Sequence, residues 1–344
     1  MSERIVGKLS PTRMQALIAG HVGASCPGLK VGPGPGLDAA ILEMSGGRVM
    51  AVAEDPIFPA PGLPLEIMGW FTVHIGASDV AVTGVRPQFI SYTLLLPTAS
   101  PVAEAETIVA AISETARDLG ISIVGGHTGW YDAVAVPLVG GVTVWGFAGP
   151  GEWISPGGAR PGDALLMTKG PAIEATALLG ILYRARLQGQ MPPALLERAC
   201  ARNRQITVVP DAMSAFAAGG VHAMHDATEG GVLGGLWEMA AASGLAVQAD
   251  LDQVPVPDDV AALAGALDFD PWQAISEGTL LAAVSPESVP VVLATWQAEG
   301  IPGWEIGRFL PGPARVTVTR HGRAADQPEP KEDPFWRLFF AGLG

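Results

Sequence analysis

The spacing of hydrophobic and polar positions changes period several times along this chain, and the changes predict a mixed α/β protein. Ala39–Met44 and Arg48–Glu54 alternate as half-buried strands do, and Ser45-Gly46-Gly47 between them predicts a hairpin. Leu63–Thr83 is apolar almost all round at helical spacing, which predicts a helix buried on several sides. Gln88–Leu96 reads as a strand closed by Pro97. Pro101–Leu119 places Val102, Ile108, Val109, Ile112 and Leu119 at helical spacing and stops at Gly120. Ile121–Gly125 and Ala133–Phe147 then read as strands.

Gly149-Pro150-Gly151 and Pro156-Gly157-Gly158-Ala159-Arg160-Pro161-Gly162-Asp163 are the densest turn chemistry, and they predict two domains, residues 1–157 and 158–344. The second half predicts a strand at Ala164–Thr168, helices near Ile173–Leu187, Pro193–Asn203 and Val232–Ser243, and strands near Leu245–Ala249, Thr279–Val284 and Arg315–Thr319. Gln327–Asp333 is charged and Pro-containing and is expected to be loose. Pro334–Phe340 is too aromatic to float and is expected to dock on the body.

Composition narrows the function classes. The 344 residues suit about two domains, and 49% hydrophobic content supplies real cores. A net charge of −14 disfavours nucleic acid and anionic membrane surfaces, both of which call for clustered Lys or Arg. Cys26 and Cys200 have no metal-site spacing and are expected to be reduced. The N-terminus has no signal-peptide core, and His74, Ser78 and Asp79 interrupt the longest apolar run, Ile67–Val85. These features predict a cytoplasmic enzyme with no membrane partner.

Five short motifs carry the candidate chemistry: Gly36-Leu37-Asp38-Ala39-Ala40-Ile41, Glu54-Asp55, Gly76-Ala77-Ser78-Asp79, Gly125-Gly126-His127-Thr128 and His225-Asp226-Ala227-Thr228-Glu229-Gly230-Gly231. Each sets an acid or imidazole among small residues, a combination suited to hard cations and close ligand approach. Asp79 ends an apolar helix, where an unpaired carboxylate is costly and a cation would relieve it; pairing with Arg86 or capping a helix is the alternative. Asp38 and Asp55 sit at opposite ends of the hairpin strands, and alternation points Glu54 away from Asp55. Gly125-Gly126-His127-Thr128 reads as a glycine turn after a strand, presenting His127 to phosphate or metal. His222, His225 and Asp226 lack the further ligands of a zinc site, so the region reads as a loop before a helix. Thr228 is expected to cap that helix, with the Gly230 and Gly231 N–H groups free for an anion. Glu174 stands at another helix start and is expected to face the same cleft. Gly32-Pro33-Gly34-Pro35-Gly36 is not a dinucleotide loop, because its prolines lack N–H donors, and no P-loop sequence occurs.

In order and spacing these motifs resemble those of the aminoimidazole ribonucleotide (AIR) synthetase, or PurM-like, superfamily, and within it the HypE-like AIR synthase-related branch. The resemblance runs from about Gly7 to Phe309. It implies an N-terminal domain that dimerises into a β-barrel, a C-terminal α/β domain with a mixed sheet and flanking helices, and ATP with Mg²⁺ in the cleft near the dimer interface. It also implies Asp38, Asp55 and Asp79 as metal and phosphate residues, with Asp79, His127 and Asp55 at the chemistry. Lys8, Gly125, Gly126, His127, Thr128, Asp226, Thr228, Gly230 and Gly231 would complete the nucleotide and phosphate contacts.

The chain departs from the family at informative places. Leu37 replaces an acid, His127 stands where HypE and thiamine-monophosphate kinase have Asp, and Glu229 stands where HypE has Arg. No cysteine follows Cys200, so the C-terminal cysteine chemistry of HypE is not expected, and Cys26 with Lys30 is a poor match to selenophosphate synthetase. The expectation is a homodimeric ATP-dependent phosphoryl-transferring or ligase-type enzyme with a small-molecule or protein acceptor. A thiamine-monophosphate kinase-like enzyme, or a nucleotide-binding maturation or assembly protein without turnover, are the alternatives.

Overall fold

The computed structural model describes residues 6–18, 20–59 and 62–342. The first half contains α1 (Pro11–Ile18), β1 (Leu29–Val31), β2 (Ala40–Glu43), β3 (Val49–Ile57), α2 (Leu65–Ala81), β4 (Phe89–Leu96), α3 (Val102–Asp118), β5 (Ser122–Trp130) and β6 (Leu138–Ala148). Its sheet runs β1-β2-β3-β6-β4-β5, antiparallel except for the β4–β5 pair. The expected hairpin is β2–β3. Antiparallel pairing sets Ala40 opposite Val52, so the start of β2 and the end of β3 lie at the same end of the sheet. Asp38 and Asp55, at opposite ends of their own strands, are thereby neighbours in space.

The second half comprises β7 (Ala164–Thr168), α4 (Ile173–Leu182), α5 (Arg184–Leu187), α6 (Pro193–Ala201), α7 (Val209–Ala218), β8 (Val221–Asp226), α8 (Gly231–Ser243) and β9 (Ala246–Asp250). It continues with α9 (Asp258–Leu267), β10 (Leu280–Val284), α10 (Val289–Ala298), β11 (Gly303–Leu310), β12 (Arg315–Arg320), β13 (Arg323–Gln327) and α11 (Pro334–Ala341). The second sheet runs β13-β12-β9-β11-β7-β10-β8, with only β12–β9 parallel. Two mixed sheets with flanking helices match the expected fold class. The expected elements omitted α1, β1, α7, β8, α9, α10, β11 and β13; most are short runs with no period that separates helix from strand.

The long apolar helix is α2, and its burial follows from its composition. Phe71, Val73, Ala77 and Val80 are buried, α3 and the first sheet pack against it, and α7 reaches it from the second half. Gly69 permits this: a Cβ there would lie 2.5 Å from the Ala111 side chain and 2.8 Å from the Ile108 carbonyl of α3. The Ser78 hydroxyl donates to the His74 carbonyl and accepts the Val208 N–H. The C-terminal end of α2 is thus fixed where the halves meet.

Two expectations for the chain's surface need correction. Gly125–Thr128 is not a turn but the middle of β5, paired to β4 along its length. Gly126 takes a positive φ of 141° within the strand, and a Cβ there would meet the Tyr92 carbonyl. The segment Gln327–Asp333 is not loose: Gln327 ends β13, Glu329 accepts both the N–H and the hydroxyl of Thr12, and Asp333 caps α11. The aromatic tail does dock, with Phe335, Leu338 and Phe339 buried.

Candidate functional site

Four elements deliver carboxylates to one place. The loop before β2 supplies Asp38, the end of β3 supplies Asp55, the last turn of α2 supplies Asp79, and the last residue of β8 supplies Asp226. His225 and Asp226 are therefore strand residues, not part of the loop that the sequence suggested; the loop is Ala227–Gly230. Asp226 is 1% exposed, and no N–H or hydroxyl group bonds its carboxylate; the carboxyl of Glu277 lies within hydrogen-bonding reach instead. Glu277, in the loop before β10, is in the same condition. Unpaired buried carboxylates cost several kcal/mol in most settings.

Mutual repulsion appears in the proton affinities. Asp79 is raised well above the usual carboxylate range by burial, then by Asp55, Asp226 and Asp38. Asp226 is pushed up to about 6 by burial and by Asp38, with His225 opposing. Glu277 is raised well above its ordinary value by burial and by Asp226 beside it. Glu174, in the first turn of α4, is pushed up to about 8 by burial, then by Glu229 and Asp333. Glu174 thus faces the same acidic cleft, as its sequence position suggested. Among the described residues no ion pair links Asp79 to Arg86, so the pairing alternative for Asp79 finds no support.

A relay of charges flanks the carboxylates. His225 is buried, with Nδ1 2.7 Å from Asp38 Oδ2 and Nε2 3.0 Å from Glu238 Oε2. Carboxylates only accept, so both ring nitrogens donate and the ring is an imidazolium. Burial lowers its pKa, but Asp38 and Glu238 carry it to about 10. Asp38, His225 and Asp226 lie close enough to suggest a shared metal. An imidazolium with both nitrogens committed has no lone pair for one, so His225 orients Asp38 instead. Lys8 Nζ lies 2.7 Å from Glu238 Oε1; burial lowers the Lys8 pKa, but Glu238, Asp38 and Asp79 together raise it. Glu238 in turn is held down to about 2, burial being outweighed by Lys8 and His225. The N-terminal segment thus brings Lys8 to the cleft. Sequence reasoning left out Glu238 and Glu277, and it placed His225 in a loop without a role of its own. The spacing of His225 to Glu238, which crosses from a strand end to the second turn of the next helix, was the one available signal.

The start of α8 differs from expectation. Gly230 and Gly231 have left-handed φ of 83° and 61°, as a sharp strand-to-helix turn demands. Their N–H groups are not free: Gly231 donates to the Thr228 carbonyl, and Gly230 to Asp333 Oδ2 at 2.7 Å. Thr228 contributes its carbonyl, and its hydroxyl does not cap the helix. Glu229 accepts from the Lys8 N–H and from the Trp336 indole, both at 2.7 Å.

His127, Thr128, Gly125 and Gly126 are not brought to the carboxylates. They lie on β5, three strands from β3, about 14 Å away at about 4.8 Å per strand. His127 Nε2 instead meets the Tyr131 hydroxyl at 2.6 Å. His222, the other histidine of this region, pairs with Asp163 at 2.9 Å.

Comparisons with known proteins give the family and the fold. The family model "AIR synthase related protein, N-terminal domain" matches residues 36–148, and "AIR synthase related protein, C-terminal domain" matches residues 160–319. The carbamoyl dehydratase HypE of Rhizobium leguminosarum bv. viciae is 27% identical over 270 residues, which are 76% of this chain and 73% of that protein. The structure of AaThiL complexed with AMPPCP and TMP superposes with a TM-score of 0.73 at 17% identity, covering 96% of this chain and 99% of that one. A hydrogenase maturation protein HypE in complex with ATP gives 0.68 at 24% identity, covering 94% and 96%. Among the described residues no helix is long and apolar enough to cross a membrane.

Proposed function

The chain belongs to the AIR synthase related protein family, and from that premise we propose that it is an ATP-dependent phosphoryl-transferring enzyme that uses Mg²⁺ and works as a homodimer. The observation that carries this reading is the convergence of Asp38, Asp55, Asp79 and Asp226, with both oxygens of Asp226 buried and met by no N–H or hydroxyl donor. Such a donor set is all oxygen and suits a hard cation. Asp38, Asp55 and Asp79, with Asp226 beside them, would hold magnesium, which when bound neutralises polyphosphate charge and polarises the transferring phosphoryl group.

The remaining residues are assigned by position. His225 and Glu238 hold Asp38 in one orientation, and Lys8 adds a cation that can exchange Glu238 for a phosphate oxygen. Glu174 and Glu277 are buried carboxyls of raised proton affinity, so they can deliver or take a proton as the acceptor reacts. The exposed edge β5, with Val124 53% exposed, suits pairing with a second copy. In that arrangement His127 and Thr128 would approach a partner's nucleotide. The acceptor is a small molecule or a protein group.

Calorimetric titration of a non-hydrolysable ATP analogue, with and without Mg²⁺, tests the reading. The expected result is saturable Mg-dependent binding near one nucleotide per chain, weakened at least tenfold by Asp79→Asn with the fold intact. Unchanged affinity in that variant would remove Asp79 from the site, and absence of binding in the unsubstituted chain would remove the activity.

A further inference from the structure

A second groove opens at the same end of the second sheet as Asp226, on the other side of β7. It holds about 590 Å³ between the start of β11, the loop before α9 and the residues after α6. Lys169, Arg202, Gln205, Val256, Ile301 and Trp304 line it, and volumes of this order receive small ligands. Strand register gives its separation from the acids. Asp226 pairs with Leu280 of β10 and Gly303 with Thr168 of β7, so the start of β11 stands three strands from Asp226, about 14 Å at about 4.8 Å per strand.

The polar groups of this wall that remain unspent are donors. Lys169 Nζ donates to the Thr207 carbonyl at 2.6 Å and to Asp211 Oδ2 at 2.9 Å, which leaves one of its three N–H groups. Arg202 forks onto Asp259 at 2.6 and 2.9 Å and donates from Nη1 to Gln205 Oε1 at 3.0 Å, with further N–H groups to spare. Among the described residues, the Gln205 amide N–H groups and the Trp304 indole N–H have no partner. The counter-carboxylates lie beneath the wall: the Asp211 and Asp259 side chains are 0% and 3% exposed, against 12% for both Lys169 and Arg202. Each ion pair is thus a dipole with its positive end at the groove. Asp258, exposed on the rim, is the one carboxylate among the lining residues, and it sits in the first turn of α9, where the helix dipole offsets its charge.

The backbone holds Lys169 in this place. Its φ of 60° is left-handed, uncommon for a residue with a Cβ, and its N–H donates to the Pro302 carbonyl across the groove's floor. Strained residues of this kind persist where the surroundings fix them, and they cluster at ligand sites. Trp304, Ile301 and Val256 are partly buried and give the groove an apolar face. Trp304 is two residues along β11 from Pro302, about 7 Å at about 3.4 Å per residue, which is the span from the ring to the carboxylate of an arylacetate.

We propose that this groove is a second ligand site, separate from the acid cleft, for a small aromatic carboxylic acid. The carboxylate meets the spare N–H groups of Lys169 and Arg202, and the ring lies on Trp304 beside Ile301 and Val256. The metal-free acid cleft, crowded with carboxylates, repels the same anion.

The test is saturation-transfer NMR and equilibrium dialysis of the full chain with indole-3-acetate, and with tryptamine as its cationic counterpart. EDTA is present, so that no metal lets the acid cleft hold a carboxylate. Indole-3-acetate should bind saturably, near one per chain and in the millimolar range or tighter, and tryptamine at least tenfold more weakly. Gln205→Glu adds a carboxylate at an exposed lining position and should weaken indole-3-acetate at least tenfold, and Trp304→Leu, which removes the flat ring and its N–H, should do the same. Gln205→Glu alone decides if the Trp304 variant does not fold. No saturable binding of indole-3-acetate, tryptamine binding equally well, or undiminished binding by a folded variant overturns the proposal. A repeat with Mg²⁺ and the non-hydrolysable ATP analogue should leave the indole-3-acetate affinity unchanged, and displacement by the analogue would put the ligand in the cleft and overturn it too. Indole-3-acetate binding in a chain that takes up no nucleotide would reject the ATP reading and leave this site standing.

Discussion

At the scale of single residues, the chain holds two kinds of buried titratable group, and pH separates them. His74 on α2 stacks on Trp70 and hydrogen-bonds the Thr207 hydroxyl; burial, then Arg204 and Lys169, lower its pKa to about 3. The unfolded chain therefore binds a proton near pH 6.5 that the folded chain refuses. The stabilisation is fully present above about pH 6.5 and is lost as pH falls toward 3, by up to about 1.4 kcal/mol per pH unit. His74→Asn, which keeps a hydrogen-bonding group, should flatten the loss of stability between pH 6.5 and 4.5 in urea-unfolding curves. Parallel curves for the two proteins would show that another group governs acid sensitivity. Asp226 has the opposite sign. Its pKa is raised to about 6, so the folded state holds a proton that the unfolded state releases, and stability falls as pH rises through about 4 to 6. Without ligand, Asp226→Asn should be the more thermostable protein at pH 7.5 by a few degrees, at about 2–4 °C per kcal/mol. Calorimetric scans giving an equal or lower Tm would contradict the view of Asp226 as an uncompensated charge.

At the scale of elements, β5 is the departure with most consequence. Its sequence signals a turn, because Gly125-Gly126 follows an apolar run. Pairing with β4 overrides that signal, and Gly126 is accommodated because its positive φ suits glycine alone. Ser122–Thr128 is exposed throughout, as befits an edge awaiting another strand. Val124→Lys places a charge on that edge and should weaken self-association at least tenfold in sedimentation experiments, with the circular dichroism spectrum unchanged. A dimer of undiminished stability would put the interface elsewhere. The C-terminal helix is the converse case. Its aromatic content made docking legible in the sequence, yet where it docks was not, because Asp333 and Gly230 carry no mutual signal across 103 residues.

At the scale of the whole molecule, the cleft is where the two halves meet, and its destabilising features are concentrated there. Asp79 arrives from the first sheet's helix and Asp226 from the second sheet's edge strand; Asp226 raises the proton affinity of Asp79, and Asp38 of the first half raises that of Asp226. Under the proposed function, a structure that tolerates this without ligand gains stability when a cation and polyphosphate enter. A ligand at one hundred times its Kd stabilises by about 2.7 kcal/mol. The same junction receives the N-terminal Lys8 and the C-terminal Asp333, so both ends of the chain converge on one site.

The sequence by itself determined the local matters: the β2–β3 hairpin, the buried α2, and the alternation that turns Glu54 outward to Thr143. Each depends on residues within a few positions of one another, where period and turn chemistry act directly. Tertiary structure alone decided which acids meet. It brought Asp38 beside His225 from 187 residues away, turned a presumed phosphate turn into an edge strand, and set Asp333 on the Gly230 N–H. Such contacts are made by strand order and by the packing of whole faces, and no short stretch of sequence encodes them.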